Sequence, residues 1–593
     1  MKTIRFAALA LWFSLGLADQ PLFAQAVTPP HAPEAHAVLL SGDELSADLK
    51  FMCELAGPQG VRGWKLLESF LVEIYGGTDT SKPAIFDILI SPTGTDVRAY
   101  FPLLIVPGKP LGEKFMRNIL DIGFKPQKKL VSNFYQIGGG VKPVAGAAFN
   151  GFLRILPAPI NYASISSKRE SLPPNLGDPR ADKVVAALLA KNFDVGFRLE
   201  NPKKDAASIK ARAADFQKVK DELNAGLKLA ADELPEAFAV QKAFLDHNLG
   251  ELSRFISESS ELMLGWTTDA PKKEARLDLE LEAIPGTDLD VSAKLLGQAP
   301  GMFSGVPRAE GAILSGRIHF PLDRFRKANF LGAMPLFRAS SDVRIEASKG
   351  YTSEQKVAGK KAWKNCFDML EDGVNEGVLD GLIEVSQATG EKANLVFALK
   401  AKDGTALKGI LEQLPKLNDG IKVQFDVEKV GDYTIHTVAT PDSNEDIELL
   451  FGKGAPIYVA TGPKAWWVAI GPKSLDPLKK AIADSAQPNA ALASNFLTLF
   501  YRVNPWLELV DARRVRMDAK PSDVKLSDAD LKDKKERAAH LKLALEVLKE
   551  GKDTIETKLD AKNGRVTGST RFDEGLLKFI GSEIADFSNK TLK

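Results

Sequence analysis

The spacing of apolar positions changes from element to element between residues 393 and 482. Residues 393–401 are apolar and free of Gly and Pro, the pattern of a buried strand. Asp403-Gly-Thr405 follows as a turn and N-cap, and Leu407, Ile410, Leu411 and Leu414 then fall on one helical face, which Pro415 is expected to end. Val423, Phe425 and Val427 alternate with Gln424, Asp426 and Glu428, predicting a strand with one wet face. Tyr433 and Ile435 continue the alternation beyond a Gly-Asp turn. After an acidic loop over 441–448, residues 457–460 and 465–470 flank a Gly-Pro turn as a hairpin. Ser474-Leu-Asp-Pro477 opens a helix carrying Leu475, Leu478 and Ile482.

A similar series lies earlier. Residues 84–90 and 97–106 read as a hairpin matching 382–388 and 393–401. Leu111, Phe115, Met116, Ile119 and Leu120 give the helix, and residues 130–137, 153–155 and 162–165 give the strands. The offset of roughly 290–305 residues is domain-sized. Each series has a comparable ending. In the first, 205–234 and 236–263 read as long helices broken at Pro235, and 274–283 with 289–295 as a hairpin around Pro285-Gly286. In the second, 515–517 reads as a strand, 527–550 as a helix, and 554–560 with 565–572 as a hairpin turned at Asn563-Gly564. The expected fold class is α+β. It comprises two similar units, each an antiparallel sheet packed with helices, arising by internal duplication. The expected organisation is a signal peptide over 1–26, a disordered tether over 27–38, and units over 39–304 and 305–593.

Composition narrows the chemistry. Lys plus Arg (78) nearly equals Asp plus Glu (77), so no net field favours nucleic acid or an anionic membrane. Lys2 and Arg5, the apolar run 6–17 and Ala24-Gln-Ala26 have the parts of a cleavable export signal. No later run has the roughly 20 apolar residues of a membrane span. The mature chain is therefore expected to be extracytoplasmic, periplasmic or secreted, without a transmembrane segment. Cys53 and Cys366, one per unit, read as two buried thiols. His31 and His36 sit in the expected tether. His436 is assigned to the wet face of its strand, and His247 and His540 to charged helices. No His or Cys cluster has metal-ligand spacing, and no Gly-x-Ser-x-Gly elbow is present. Ser353-Glu-Gln-Lys356 and Ser522-Asp-Val-Lys525 spell Ser-x-x-Lys in polar, turn-rich surroundings without the companion motifs of that chemistry. No catalytic, cofactor-binding or metal-binding residue is assigned, and no cofactor. The one candidate binding feature is Trp466-Trp467. Neighbouring strand residues face opposite ways, so one ring is expected in the core and the other on a binding face or under a helix.

The paired hairpin and helix of residues 395–414, the Lys-Leu-Asp-Ala-Lys-Asn-Gly-Arg565 hairpin and the Phe572-Asp-Glu-Gly575 ending together resemble the large, signal-bearing proteins of planctomycete-type bacteria. That group carries no assigned activity, so the resemblance implies none. The expected function is that of an exported, non-catalytic protein binding a protein partner or cell-envelope component. Two alternatives stand beside it: a carrier of an apolar ligand held between sheet and helices, and a hydrolase whose active site assembles only in the fold.

Overall fold

The computed structural model describes residues 33–39, 41–91, 94–121, 124–131, 133–139, 149–229, 233–387, 391–440, 445–490, 494–518 and 527–592. The signal-peptide assignment and His31 lie outside them. The chain forms β1 (Glu34–Leu39), α1 (Gly42–Leu55), α2 (Pro58–Ile74), β2 (Ala84–Ser91), β3 (Gly94–Pro102), α3 (Glu113–Asp121), β4 (Phe124–Val131), β5 (Phe134–Gly139), β6 (Phe149–Leu156) and β7 (Tyr162–Ser166). It continues with α4 (Lys183–Ala190), β8 (Val195–Glu200), α5 (Ala206–Gly226), α6 (Pro235–Glu258), β9 (Ser259–Asp269), β10 (Glu274–Ala283) and α7 (Asp288–Leu296). Next come β11 (Ala312–Pro321), α8 (Arg324–Ala347), α9 (Ser353–Glu376), β12 (Val378–Ser386), β13 (Asn394–Lys400), α10 (Leu407–Leu411) and α11 (Leu414–Leu417). The last stretch holds β14 (Lys422–Val430), β15 (Tyr433–Ala439), α12 (Glu445–Phe451), β16 (Ile457–Thr461), β17 (Ala465–Ile470), α13 (Leu475–Ser485), β18 (Asn495–Arg502), α14 (Asn504–Asp518), α15 (Asp528–Leu548), β19 (Thr554–Lys562), β20 (Arg565–Phe572) and α16 (Glu574–Thr591). Among the described residues no helix is long and apolar enough to cross a membrane.

Every strand pairing is antiparallel, so the class is α+β rather than the parallel α/β kind. Spatially the first ten strands run β4-β5-β6-β7-β3-β2-β1-β8-β9-β10. β10 then pairs with β20. From there the sheet continues β20-β19-β18-β11-β12-β13-β17-β16-β15-β14. Read from its outer edge, the second series has the order of the first with each strand number raised by ten.

Both faces of the sheet are covered. On one face of the second series, Leu382, Ala398, Ile435 and Trp467 pack under Leu478 and Ile482 of α13 and against Phe303. In the first series Ile85, Tyr100 and Tyr162 pack under Val185 and Leu188 of α4. On the opposite face, Val438 and Val459 pack against Leu411 of α10. Burial of these side chains from both directions is the main favourable term holding strands and helices together.

Several sequence expectations are corrected. Residues 34–38 are not tether but strand: β1 has partners on both sides, so its backbone is fully paired despite Glu34 and His36. His36 is buried, with Nδ1 2.9 Å from Asp87. Pro235 starts α6 instead of breaking a helix, and that helix ends at Glu258 because β9 begins there. β9 is the hairpin partner of β10. The expected strand over 289–295 is α7, because the Thr287 side chain accepts from Asp290 N and nucleates a helix burying Leu289, Ala293 and Leu296. Residues 515–517 belong to α14; of the expected acidic loop over 441–448, residues 445–448 lie in α12 and 441–444 lie outside the described residues. Residues 130–137 are the ends of two strands of a hairpin.

Candidate functional site

Helices α8, α9, α10 and α11 enclose the site against β12, β13 and β17. The α8–α9 hairpin is fixed by a capping box at Thr352. Its hydroxyl accepts from Gln355 N at 3.2 Å, while the Gln355 side-chain oxygen accepts from Thr352 N at 2.8 Å. The Gln355 amide also donates to the Leu417 carbonyl at 2.9 Å, joining the start of α9 to the end of α11. Gly404, in a single 3-10 turn before α10, presses on the turn between β16 and β17; a Cβ there would overlap the Ala465 carbonyl. That close approach brings α10 down over Trp466. The apolar stripe Leu407, Ile410, Leu411 and Leu414 is divided between two short helices, with a break at Glu412–Gln413. Pro415 lies in the first turn of α11 and does not end the helix at 414.

What these elements leave between them is a cavity of about 400 Å³. Its floor is Leu379, Leu399 and Trp466; one wall is Ala362, Cys366, Met369 and Leu370 of α9; the other is Leu407, Ile410, Leu414 and Leu417. Tyr351 and Trp363 stand at its outer side, 45% and 48% exposed. Lys400 also borders it, but strand alternation puts the Leu399 side chain with Trp466 and turns the Lys400 side chain to the opposite face. Among the described residues no acidic side chain and no imidazole lines the cavity. Burial pushes the Cys366 thiol up, so it lines the wall as a neutral group. Apolar contact is the chemistry this lining offers.

The two sequence-nominated residues separate as alternation requires. Trp467 is 0% exposed, with its ring edge-on to Phe303 at 5.3 Å in the core beneath α13. Trp466 is half-buried on the cavity floor, against Phe397 at 5.4 Å. The α9 wall was not foreseen. Its signal is the stripe Ala362, Cys366, Met369 and Gly373, which has ordinary core spacing and so does not distinguish a cavity from a filled interior.

Other polar clusters are structural. His436 is 0% exposed, not on a wet face; its Nδ1 accepts from Asp426 N at 3.0 Å, so the proton sits on Nε2 and faces the Thr461 hydroxyl at 3.0 Å. His319 Nδ1 lies 2.6 Å from Asp380, whose other oxygen accepts from Met302 N at 3.3 Å. Arg317 bonds Glu384 at 2.6 Å and the Val306 carbonyl at 2.8 Å. These groups fasten the 301–309 segment between the two series to the sheet. Both thiols are free. Among the described residues no group of three or more His, Cys, Asp or Glu is placed to hold a metal ion. Ser353 is exposed, and Ser522 lies outside the described residues. No protein family, curated protein or solved structure matches the chain.

Proposed function

We propose that this chain binds a small apolar ligand in the cavity between α9, α10, α11 and the sheet, and acts as its carrier. The observation that carries the reading is a cavity of about 400 Å³ whose side chains are almost entirely hydrocarbon, sulfur and indole. That volume lies within the roughly 300–1,000 Å³ of small-molecule sites. It also exceeds the roughly 150 Å³ of an apolar cavity that stays dry and takes up benzene. A recess bounded by sheet and helices favours a small molecule over the flat surface a protein partner selects, so this reading stands ahead of partner binding. The test is cavity filling. Ala362→Phe should lower affinity for an apolar probe such as 1-dodecanol at least about tenfold, while the denaturation midpoint stays equal or rises. Unchanged affinity at unchanged stability overturns the reading.

Two broader features belong to the same proposal. Export is supported by Lys2, Arg5, the apolar run and Ala24-Gln-Ala26. Sequencing the exported protein should start at Val27, and a start at Met1 rules export by this signal out. The common strand order of β1–β10 and β11–β20 supports descent from one duplicated unit. A crystal structure whose two series differ in strand order removes that support.

A further inference from the structure

A second cavity, of about 540 Å³, adjoins the first and shares Ile345, Tyr351 and Trp363 with it. Its character is different. Where the first is apolar, this one carries Ser340, Ser341 and Arg344 from α8 and Ser348 just past its end, beside Phe337 and Phe367. Helix serines elsewhere in the chain, such as Ser257, Ser582 and Ser588, donate to the carbonyl four residues back. The hydroxyls of Ser340 and Ser341 have no hydrogen-bond partner among the described residues, although Ser340 is only 7% exposed. Neither hydroxyl is sealed from solvent, so both are open to bond water or a ligand in this cavity. Arg344, the one charged residue bordering this cavity, likewise makes no ion pair or hydrogen bond among the described residues. Its acidic neighbour Glu346 is turned to Lys360 and Lys356, at 2.5 and 3.5 Å.

Resting on the apolar-ligand reading, we propose that the two cavities form one amphiphile site. A single apolar chain fills the apolar cavity, and an anionic head group sits at Ser340, Ser341 and Arg344, with Trp363 and Tyr351 between. At about 30 Å³ per water-sized group, the apolar cavity takes a chain of about a dozen carbons. Carboxylate and phosphate monoester share the chemistry Arg344 selects: an anion that accepts paired N–H bonds.

The experiment is calorimetric titration of the full chain with three probes of one chain length: dodecanoate, a dodecanoyl lysophosphatidic acid and 1-dodecanol. At least one anionic probe should bind about tenfold tighter than the alcohol. Arg344→Gln should remove that preference without changing affinity for the alcohol. Whichever anion loses more identifies carboxylate or phosphate as the head. Arg344 is exposed and unpaired, so the variant should fold, which unchanged circular dichroism verifies. If all three probes bind alike, or Arg344→Gln weakens all three equally, the head-group site is overturned and the apolar cavity stands. If none binds, both fall.

Discussion

At the scale of single residues, alternation read as one wet face held for Gln424, Asp426 and Glu428 of β14, which are exposed, and failed at His436 of β15. His436 follows Tyr433 and Ile435 in a strand, and alternation alone assigns it to solvent. Here α13 covers one face of the sheet and α10 the other, so both sets of alternate residues are buried. The same rule succeeded for Trp466 and Trp467 because it was asked only to separate them. Buried polar residues then take a local partner: His436 locks the bulge at Asp426, whose φ of 56° breaks the register of β14. Asp48 on α1 carries a consequence for stability. Burial first, then the neighbouring charge of Asp194, pushes its carboxyl up from 3.8 to about 8. The folded chain therefore holds a proton that the unfolded chain releases. Stability from this group is complete below its ordinary value and is lost as pH rises towards about 8. Denaturant midpoints at pH 5 and 9 should fall in the native chain and fall less in Asp48→Asn. Equal slopes for the two proteins rule this out.

At the scale of elements, turns and caps were more legible than element type. Asn563 and Gly564, with φ of 54° and 78°, form the tight hairpin turn that the Asn-Gly dipeptide predicts. The strand expected over 289–295 was wrong because Leu289, Val291, Ala293 and Leu295 alternate; the Thr287 cap outweighs that pattern. β9 was hidden because it follows α6 directly, with no Gly or Pro between them. The organising stripe was read correctly as apolar but not as two-sided. Leu411, 4% exposed, points to Val438 and Val459, while Leu407, Ile410 and Leu414 also border the cavity. No sequence rule separates a stripe that fills space from one that leaves a recess. Leu411→Ala should thus destabilise the chain by about 2–5 kcal/mol. Lys408→Ala should change it by less than about 1 kcal/mol, because its pair with Asp426, 3.2 Å apart, is largely exposed on both sides. Matching small shifts in chemical denaturation would show that α10 does not anchor the sheet.

At the scale of the whole molecule, the last described helix closes on the first two. α16 follows the last strand of the second series, yet it docks on α1 and α2 of the first. Leu577 is buried with Met52 and Ala275, and Ile584 with Cys53 and Trp64. Two glycines set the distance. A Cβ at Gly581 would overlap the Met52 carbonyl, and one at Gly63 would overlap the main chain of Ala585. None of this was legible in the sequence: no element was assigned to residues 574–591, and the surface they pack on lies more than 500 residues earlier in the chain. Together with the β10–β20 pair, the docking makes the two series depend on one another. Gly581→Leu should force α16 away and destabilise the chain by about 1–3 kcal/mol, the range for overpacking. Thiol labelling gives a local readout. Cys53 is fully buried beneath α16, its sulfur 3.8 Å from the Gly581 carbonyl, and burial pushes its thiol up to about 12. In the native protein Cys53 should resist a thiol reagent at pH 8; in Gly581→Leu it should react, while the rate at Cys366, on the α9 wall of the cavity, stays unchanged. Continued protection of Cys53 in a variant with native circular dichroism would mean that α16 accommodates the leucine without moving. Parallel acceleration at both thiols would mean general unfolding rather than release of one helix.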